Sequence, residues 1–252
     1  MFDSPVVSTK NLSIGYSKKK PLFKNLDLQL FPSSLTIITG ENGVGKSTLL
    51  KTFVKILKPL DGDVCFNGKN LETISQKQLS QIVSVVLTDK LSSENLTVFD
   101  VISFGRTPYT GFWGHLSSFD EKIIRSVALE LKIDGLLEKK ISEISDGQKQ
   151  KALIAKALVQ QTEIIILDEP TAYLDFSAKE EIFSLLKKIA VEKNCAVLVS
   201  THDIFSSLRY SDFIWAFSQG NVCAGKTNDI VLSNPMFKNI SFNSQNGEIV
   251  IR

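Results

Sequence analysis

The sequence predicts an α/β fold with a mainly parallel sheet, an antiparallel β segment ahead of it, and a helical subdomain inserted over about residues 90–160. Three observations predict it. Short apolar, β-branched runs alternate with helical patterns through the last third of the chain, as expected for a parallel sheet covered on both faces. Near residue 40 a buried strand runs into a Gly-rich turn and then a helix. From about 90 to 160 the apolar residues recur at helical spacing.

Composition sets the frame. The chain has 252 residues, 43% of them hydrophobic and 22% charged, which suits one domain with a sizeable core. A net charge of +2, from 29 basic and 27 acidic residues, gives no case for a dedicated nucleic-acid binder. The run Lys18-Lys19-Lys20 reads as a solvated turn. Three cysteines, Cys65, Cys195 and Cys223, form no CxxC pair, so a reducing compartment is expected rather than disulfides or a zinc site. No signal-peptide pattern precedes Val6, and no apolar run nears the ~20 residues of a membrane span. Any membrane connection is expected through a partner.

The elements follow in order. Val6 to Tyr16 and Asn25 to Phe31 alternate apolar and polar, as half-buried antiparallel strands do. Leu35 to Thr39 is a buried strand by its β-branched content. A helix runs from Lys46 to about Leu57, where Pro59 and Asp61-Gly62 turn the chain. Asp63 to Phe66 and Ile82 to Leu87 are further strands. Val98 to Phe104, Phe119 to Lys132 and Gly147 to Val159 read as helices, with Asp120 capping the second or serving as its first-turn acid. An aromatic loop spans Arg106 to Trp113. Strands at Glu163 to Leu167 and Ala196 to Ser200 alternate with helices at Ser177 to Glu192 and Ile204 to Tyr210. Phe213 to Phe217 is the final strand, and Glu248 to Ile251 is a candidate edge strand.

Gly40-Glu41-Asn42-Gly43-Val44-Gly45-Lys46-Ser47 fits the P-loop pattern GxxxxGK[ST], with a strand before it and a helix after. Glycines let backbone N–H groups point inward around an anion, and the helix start adds positive potential. Lys46 can reach the β- and γ-phosphates of a nucleotide, and the Ser47 hydroxyl can ligate Mg²⁺. Ile164 to Leu167 leads into Asp168-Glu169, carboxylates at the end of a parallel strand where ligands bind in such sheets. Asp168 is the candidate Mg²⁺ ligand through water. Glu169 is the candidate that orients or deprotonates an attacking water.

A P-loop alone serves kinases, GTPases, helicases and transporters. The stretch Ile144-Ser145-Asp146-Gly147-Gln148, ahead of a helix, resembles the LSGGQ signature of ATP-binding-cassette proteins, with Ile for Leu and Asp for the first Gly. The order of P-loop, signature, Asp-Glu strand and lone His also resembles that family, over about Val6 to Asn234. The resemblance implies a P-loop NTPase core that hydrolyses ATP with Mg²⁺. Tyr16 then resembles the aromatic that stacks on adenine. Gly43, Gly45, Lys46, Ser47 and Thr48 resemble the residues that cradle phosphates and metal. Ser145, Gly147 and Gln148 resemble those that cap the γ-phosphate of a nucleotide held by a second subunit. Asp175 resembles the residue joining the two sites across that dimer, and His202 the histidine that holds γ-phosphate and water.

One position departs from the family. Where it has a Gln, the aligned residue is Thr88. Thr88 acts on the metal through water, or Asp89 substitutes, or the sensing of the membrane partner is altered. The segment Asn95 to Tyr109, followed by Trp113-Gly114-His115-Leu116-Ser117, resembles the ATPases of iron-siderophore, haem and cobalamin importers. This implies a peripheral subunit on the cytoplasmic face of the cell membrane. Its partners would be a second, identical ATPase subunit, an integral-membrane permease and, indirectly, a substrate-binding protein. Rival readings are a soluble ATP-binding-cassette ATPase of assembly or repair, and a P-loop kinase or GTPase.

Overall fold

The computed structural model describes residues 4–87, 95–111, 113–218, 220–234, 237, 240–243 and 248–251. The chain opens with β1 (Val7–Ile14), β2 (Phe23–Leu26), β3 (Gln29–Leu30) and β4 (Leu35–Gly40). After α1 (Lys46–Phe53) come β5 (Asp61–Phe66), β6 (Lys69–Asn70), α2 (Gln76–Ile82) and β7 (Val83–Val86). Then α3 (Val98–Ser103), α4 (Ser118–Glu130) and α5 (Asp146–Val159) precede β8 (Ile164–Asp168). The remainder is α6 (Phe176–Glu192), β9 (Ala196–Thr201), α7 (Ile204–Tyr210), β10 (Phe213–Ser218), β11 (Asn221–Lys226), α8 (Thr227–Ser233), β12 (Ile240–Asn243) and β13 (Glu248–Ile251).

Two sheets organise these elements. The first is antiparallel in the order β2-β1-β5-β6, with β3 also pairing β1. The second has the order β11-β10-β4-β9-β8-β7. Its strands are parallel except for the β10–β11 pair. Strands β4, β8 and β9 are buried along nearly their whole length. Successive side chains point to opposite faces, so each strand feeds two cores. Ile38, Ile164, Ile166 and Leu198 pack with α1 and the antiparallel sheet around Phe53, Phe66 and Trp215. Ile37, Ile165, Leu167, Val197 and Val199 pack on the other side with α3 to α6.

The helices between β7 and β8 start where side chains cap them. Thr97 with Asp100, Ser117 with Asp120, and Ser145 with Gln148 each form a reciprocal capping box. Asp120 is thus the first-turn acid. It also accepts from the buried Arg106 Nε at 2.7 Å. Hydrogen bonds from the Ser117 hydroxyl and amide, with the Arg106 guanidinium beside them, hold the Asp120 carboxyl at about 2. Arg106 donates further to Val159 O at 2.7 Å and Gln161 Oε1 at 3.1 Å, and lies 4.1 Å from the Tyr109 ring centre. Gly105 lets this segment close on α5, since a Cβ there would sit 2.0 Å from Lys156 O. Arg106 and Tyr109 of the aromatic loop therefore pack on their own helices, while Trp113 is 82% exposed.

Several expected boundaries change. The helix from Lys46 ends at Phe53 rather than near Leu57, because Lys55 turns left-handed (φ 59°) and the amides of Ile56 and Leu57 fold back onto Lys51 O. The expected strand Asn25 to Phe31 is two short strands, β2 and β3. Phe213 to Phe217 is not the last strand, because β11 pairs antiparallel with it from Phe213↔Lys226 to Ser218↔Asn221. Glu248 to Ile251 pairs with β12 in a separate two-stranded sheet, not at the edge of a larger one. Among the described residues, no helix is long and apolar enough to cross a membrane.

Candidate active site

Parallel pairing brings the chemistry to one edge. Thr39 is opposite Thr201, and Asp168 opposite Ser200, so the loops after β4, β8 and β9 leave the sheet side by side. The loop after β4 carries Gly40 to Gly45. Gly40 (φ 152°) passes so close to β10 that a Cβ would lie 2.4 Å from Phe217 O. Gly45 ends the loop and caps α1, with no side-chain cap bond and no acid in the first turn. The helix start thus offers its amides and dipole to an anion. Glu41, Asn42 and Gly43 are exposed, and Val44 packs partly on the core.

Lys46 is 6% exposed and folds back over the loop. Its Nζ donates to Gly40 O at 2.8 Å and Glu41 O at 3.2 Å, and stands 3.7 Å from Glu169 Oε1. Ser47 is half-buried one residue further, and the buried Thr48 places Oγ1 3.5 Å from Tyr16 Oη. Tyr16 itself is 73% exposed, leaving a ring face open beside the loop.

The acid pair is held by one hydroxyl. Ser200 Oγ donates to Asp168 Oδ1 and accepts the Glu169 amide at 3.1 Å, while Ser200 O accepts the same amide at 3.0 Å. Sequence reasoning missed Ser200; the only signal was a small polar residue at the end of an otherwise apolar strand. Glu169 takes a left-handed backbone (φ 50°), a strained conformation that clusters at functional sites. Its Oε2 accepts from His202 Nδ1 at 2.8 Å. His202 is 53% exposed, so its ring also faces outward. Lys46, Glu169 and His202 form one chain of contacts beside Asp168. Such an arrangement can bind a polyphosphate and place a water against it.

The remaining candidates lie elsewhere. Ile144 is buried and anchors the start of α5. Ser145 Oγ accepts the Gln148 amide at 3.3 Å, and Gln148 Oε1 accepts the Ser145 amide at 3.0 Å. Asp146 pairs with Lys149 at 2.9 Å. Asp175 is exposed and caps α6 by accepting the Ala178 amide at 2.8 Å. Among the described residues, no hydrogen bond or ion pair joins Ser145, Gly147, Gln148 or Asp175 to Lys46, Glu169 or His202. Thr88 and Asp89 lie outside the described residues.

The ABC transporter family profile matches residues 23–172. An uncharacterised ABC transporter ATP-binding protein of Methanocaldococcus jannaschii is 44% identical over 82% of this chain and 71% of its own. The iron(3+)-hydroxamate import ATP-binding protein FhuC of Bacillus subtilis is 34% identical over 86% of this chain and 80% of its own. The structure of cbiO1 from Clostridium perfringens, part of the ABC transporter complex cbiONQ, matches with a TM-score of 0.79 and 27% identity, covering 93% and 97% of the two chains. A metal-chelate type ABC transporter in an inward-facing conformation shares the fold, with a TM-score of 0.84 at 24% identity, covering 98% and 96%.

Proposed function

Since the chain belongs to the ABC transporter ATP-binding family, whose subunits hydrolyse ATP and work with membrane permeases, we propose that it drives uptake of a metal chelate as one half of an ATP-closed dimer. The observation that carries this reading is a division of labour. Lys46, Glu169 and His202 form one chain of contacts, whereas, among the described residues, the exposed Ser145 and the half-exposed Gly147 and Gln148 make no hydrogen bond or ion pair to them. A second copy supplies their partner.

Each residue then has a role. Tyr16 stacks on adenine. Amides of Gly40 to Gly45, with Glu41, Asn42 and Val44 giving the loop its reach, enclose the phosphates; Lys46 neutralises the β- and γ-oxygens and Thr48 steadies the loop. Ser47 and Asp168 offer a hydroxyl and a carboxylate, an all-oxygen set that suits Mg²⁺ with its own waters and phosphate oxygens. Held by Ser47 and Asp168, such an ion would supply positive charge against the charge that develops on the phosphate. Glu169 orients the water, and His202 braces it against the γ-phosphate. Ser145, Gly147 and Gln148 of the other copy close the site, and Asp175 links the two.

The cargo reading draws on relatives. FhuC is named for iron(3+)-hydroxamate, CbrD of Dickeya dadantii (32% identical) for achromobactin, and FepC of Escherichia coli (29%) for ferric enterobactin. The proposed place is the cytoplasmic face of the cell membrane, beside a permease fed by a substrate-binding protein. The test is purification with the permease that accompanies the chain, reconstitution into vesicles, and measurement of ATP- and Mg²⁺-dependent accumulation of ferric siderophore, haem and cobalamin. Uptake of one of these supports the proposal. Hydrolysis stimulated by nucleic acid with no transport of any would replace it with the soluble-ATPase reading.

A further inference from the structure

We infer that Lys179, acting through Asp203, is a positioning residue for the His202 imidazole. The inference rests on the role given above to His202. His202 and Asp203 are the two residues that link β9 to α7. Before them, Thr201 is fully buried and fixed by the sheet. Asp203 caps α7, a helix of only 7 residues. The Asp203 amide donates to Thr201 Oγ1 at 3.0 Å, and its carboxylate accepts from the Ser206 amide at 3.2 Å and the Ser206 hydroxyl at 3.3 Å. These bonds stay within the turn and would travel with it.

Lys179 supplies the tie to another element. Its Nζ lies 3.1 Å from Asp203 Oδ2, with the side chains 23% and 14% exposed. A pair this sheltered is screened less than a surface pair. Lys179 sits one helical turn after Asp175, whose carbonyl accepts the Lys179 amide at 3.0 Å. The next residue, Glu180, holds the other end of α7, accepting from Tyr210 Oη at 2.9 Å and Arg209 at 3.3 Å. Helix α7 is therefore strapped to α6 at both ends, and the strap nearer the site leads from Asp175 to the residue beside His202. A shift of Asp175 when a second copy docks passes along it to the imidazole.

The test compares Lys179→Met, Lys179→Arg and His202→Ala in the full chain within its ATP-hydrolysing complex. It reads kcat, KM for ATP, thermal stability and histidine ring NMR signals. The chain has 2 histidines, so His115 serves as an internal reference. Lys179→Met is expected to lower kcat about tenfold, as a small misplacement of a catalytic group does, with KM and melting temperature nearly unchanged. It should move the His202 ring signals and leave those of His115 in place. Lys179→Arg, which keeps the charge, should restore kcat to within about threefold of the parent. An unchanged kcat, unmoved His202 signals or no recovery with Arg would overturn the positioning role. Should His202→Ala itself turn over normally, the role of His202 fails and the inference with it, a result distinct from a silent Lys179→Met.

Discussion

The cradle after β4 and the exposed start of α5 are both helix N-termini rich in glycine or small polar residues, yet they are built in opposite ways. Around the cradle, side chains come from far along the sequence: Lys46 reaches Glu169, and Glu169 reaches His202. The start of α1 has no capping side chain. The start of α5 is closed by its own Ser145 and Gln148, and among the described residues these two side chains have no recorded hydrogen bond to a distant residue. A fold that leaves one helix start uncapped beside a lysine has prepared an anion site. A helix start that caps itself has its first amides satisfied within its own turn, and under the proposed function its ligand comes from another molecule.

The cradle is most sensitive at Glu169. Glu169→Gln keeps the shape but loses the base, so turnover should fall about a thousandfold, within the range for general bases, while ATP binding persists and a dimer accumulates by light scattering. Normal turnover would remove Glu169 from the chemistry. Next in size is the helical region that carries α5. Asp120→Asn leaves Arg106 buried without its counter-charge and should cost about 3 kcal/mol of stability by denaturant titration, with ATP affinity unchanged. Lys46→Ala should weaken ATP binding by about 2 kcal/mol, the loss of charge-assisted hydrogen bonds to phosphate, measured by fluorescent-nucleotide titration. Ser145→Ala removes a cap worth about 1 kcal/mol. If the second surface acts across a dimer, that variant slows hydrolysis while the isolated chain binds ATP as before. Smallest is the pH effect of Asp120. Its folded carboxyl lies at about 2, below the ordinary 3.8. Its contribution is present above pH 4 and is lost as pH falls from there toward 2. Asp120→Asn should flatten stability over that window alone.

Much of this was legible because the cradle is local. Gly40 to Ser47 is one continuous stretch between a β-branched strand and a helix, so its chemistry follows from residue order. Strands β4, β8 and β9 were equally plain because they are buried on both faces and read as short runs dominated by apolar and β-branched residues. Hidden elements were those with little to bury. Helix α2 buries only Leu79, and β11 is an edge strand with most residues exposed, so neither carries a strong period. Contacts between distant residues were hidden too. Nothing in the sequence pairs Ser200 with both acids, Lys179 with Asp203, or Arg106 with Asp120; only the strand order and helix packing do so.

Glu169 holds its carboxylate from a backbone that glycine or asparagine would adopt with less cost. Selection for heat tolerance alone, applied to a library at this position, would therefore drift toward those residues and enrich inactive chains. Durability and turnover pull in opposite directions at this one codon, and any campaign to harden the protein has to fix it before randomising its neighbours.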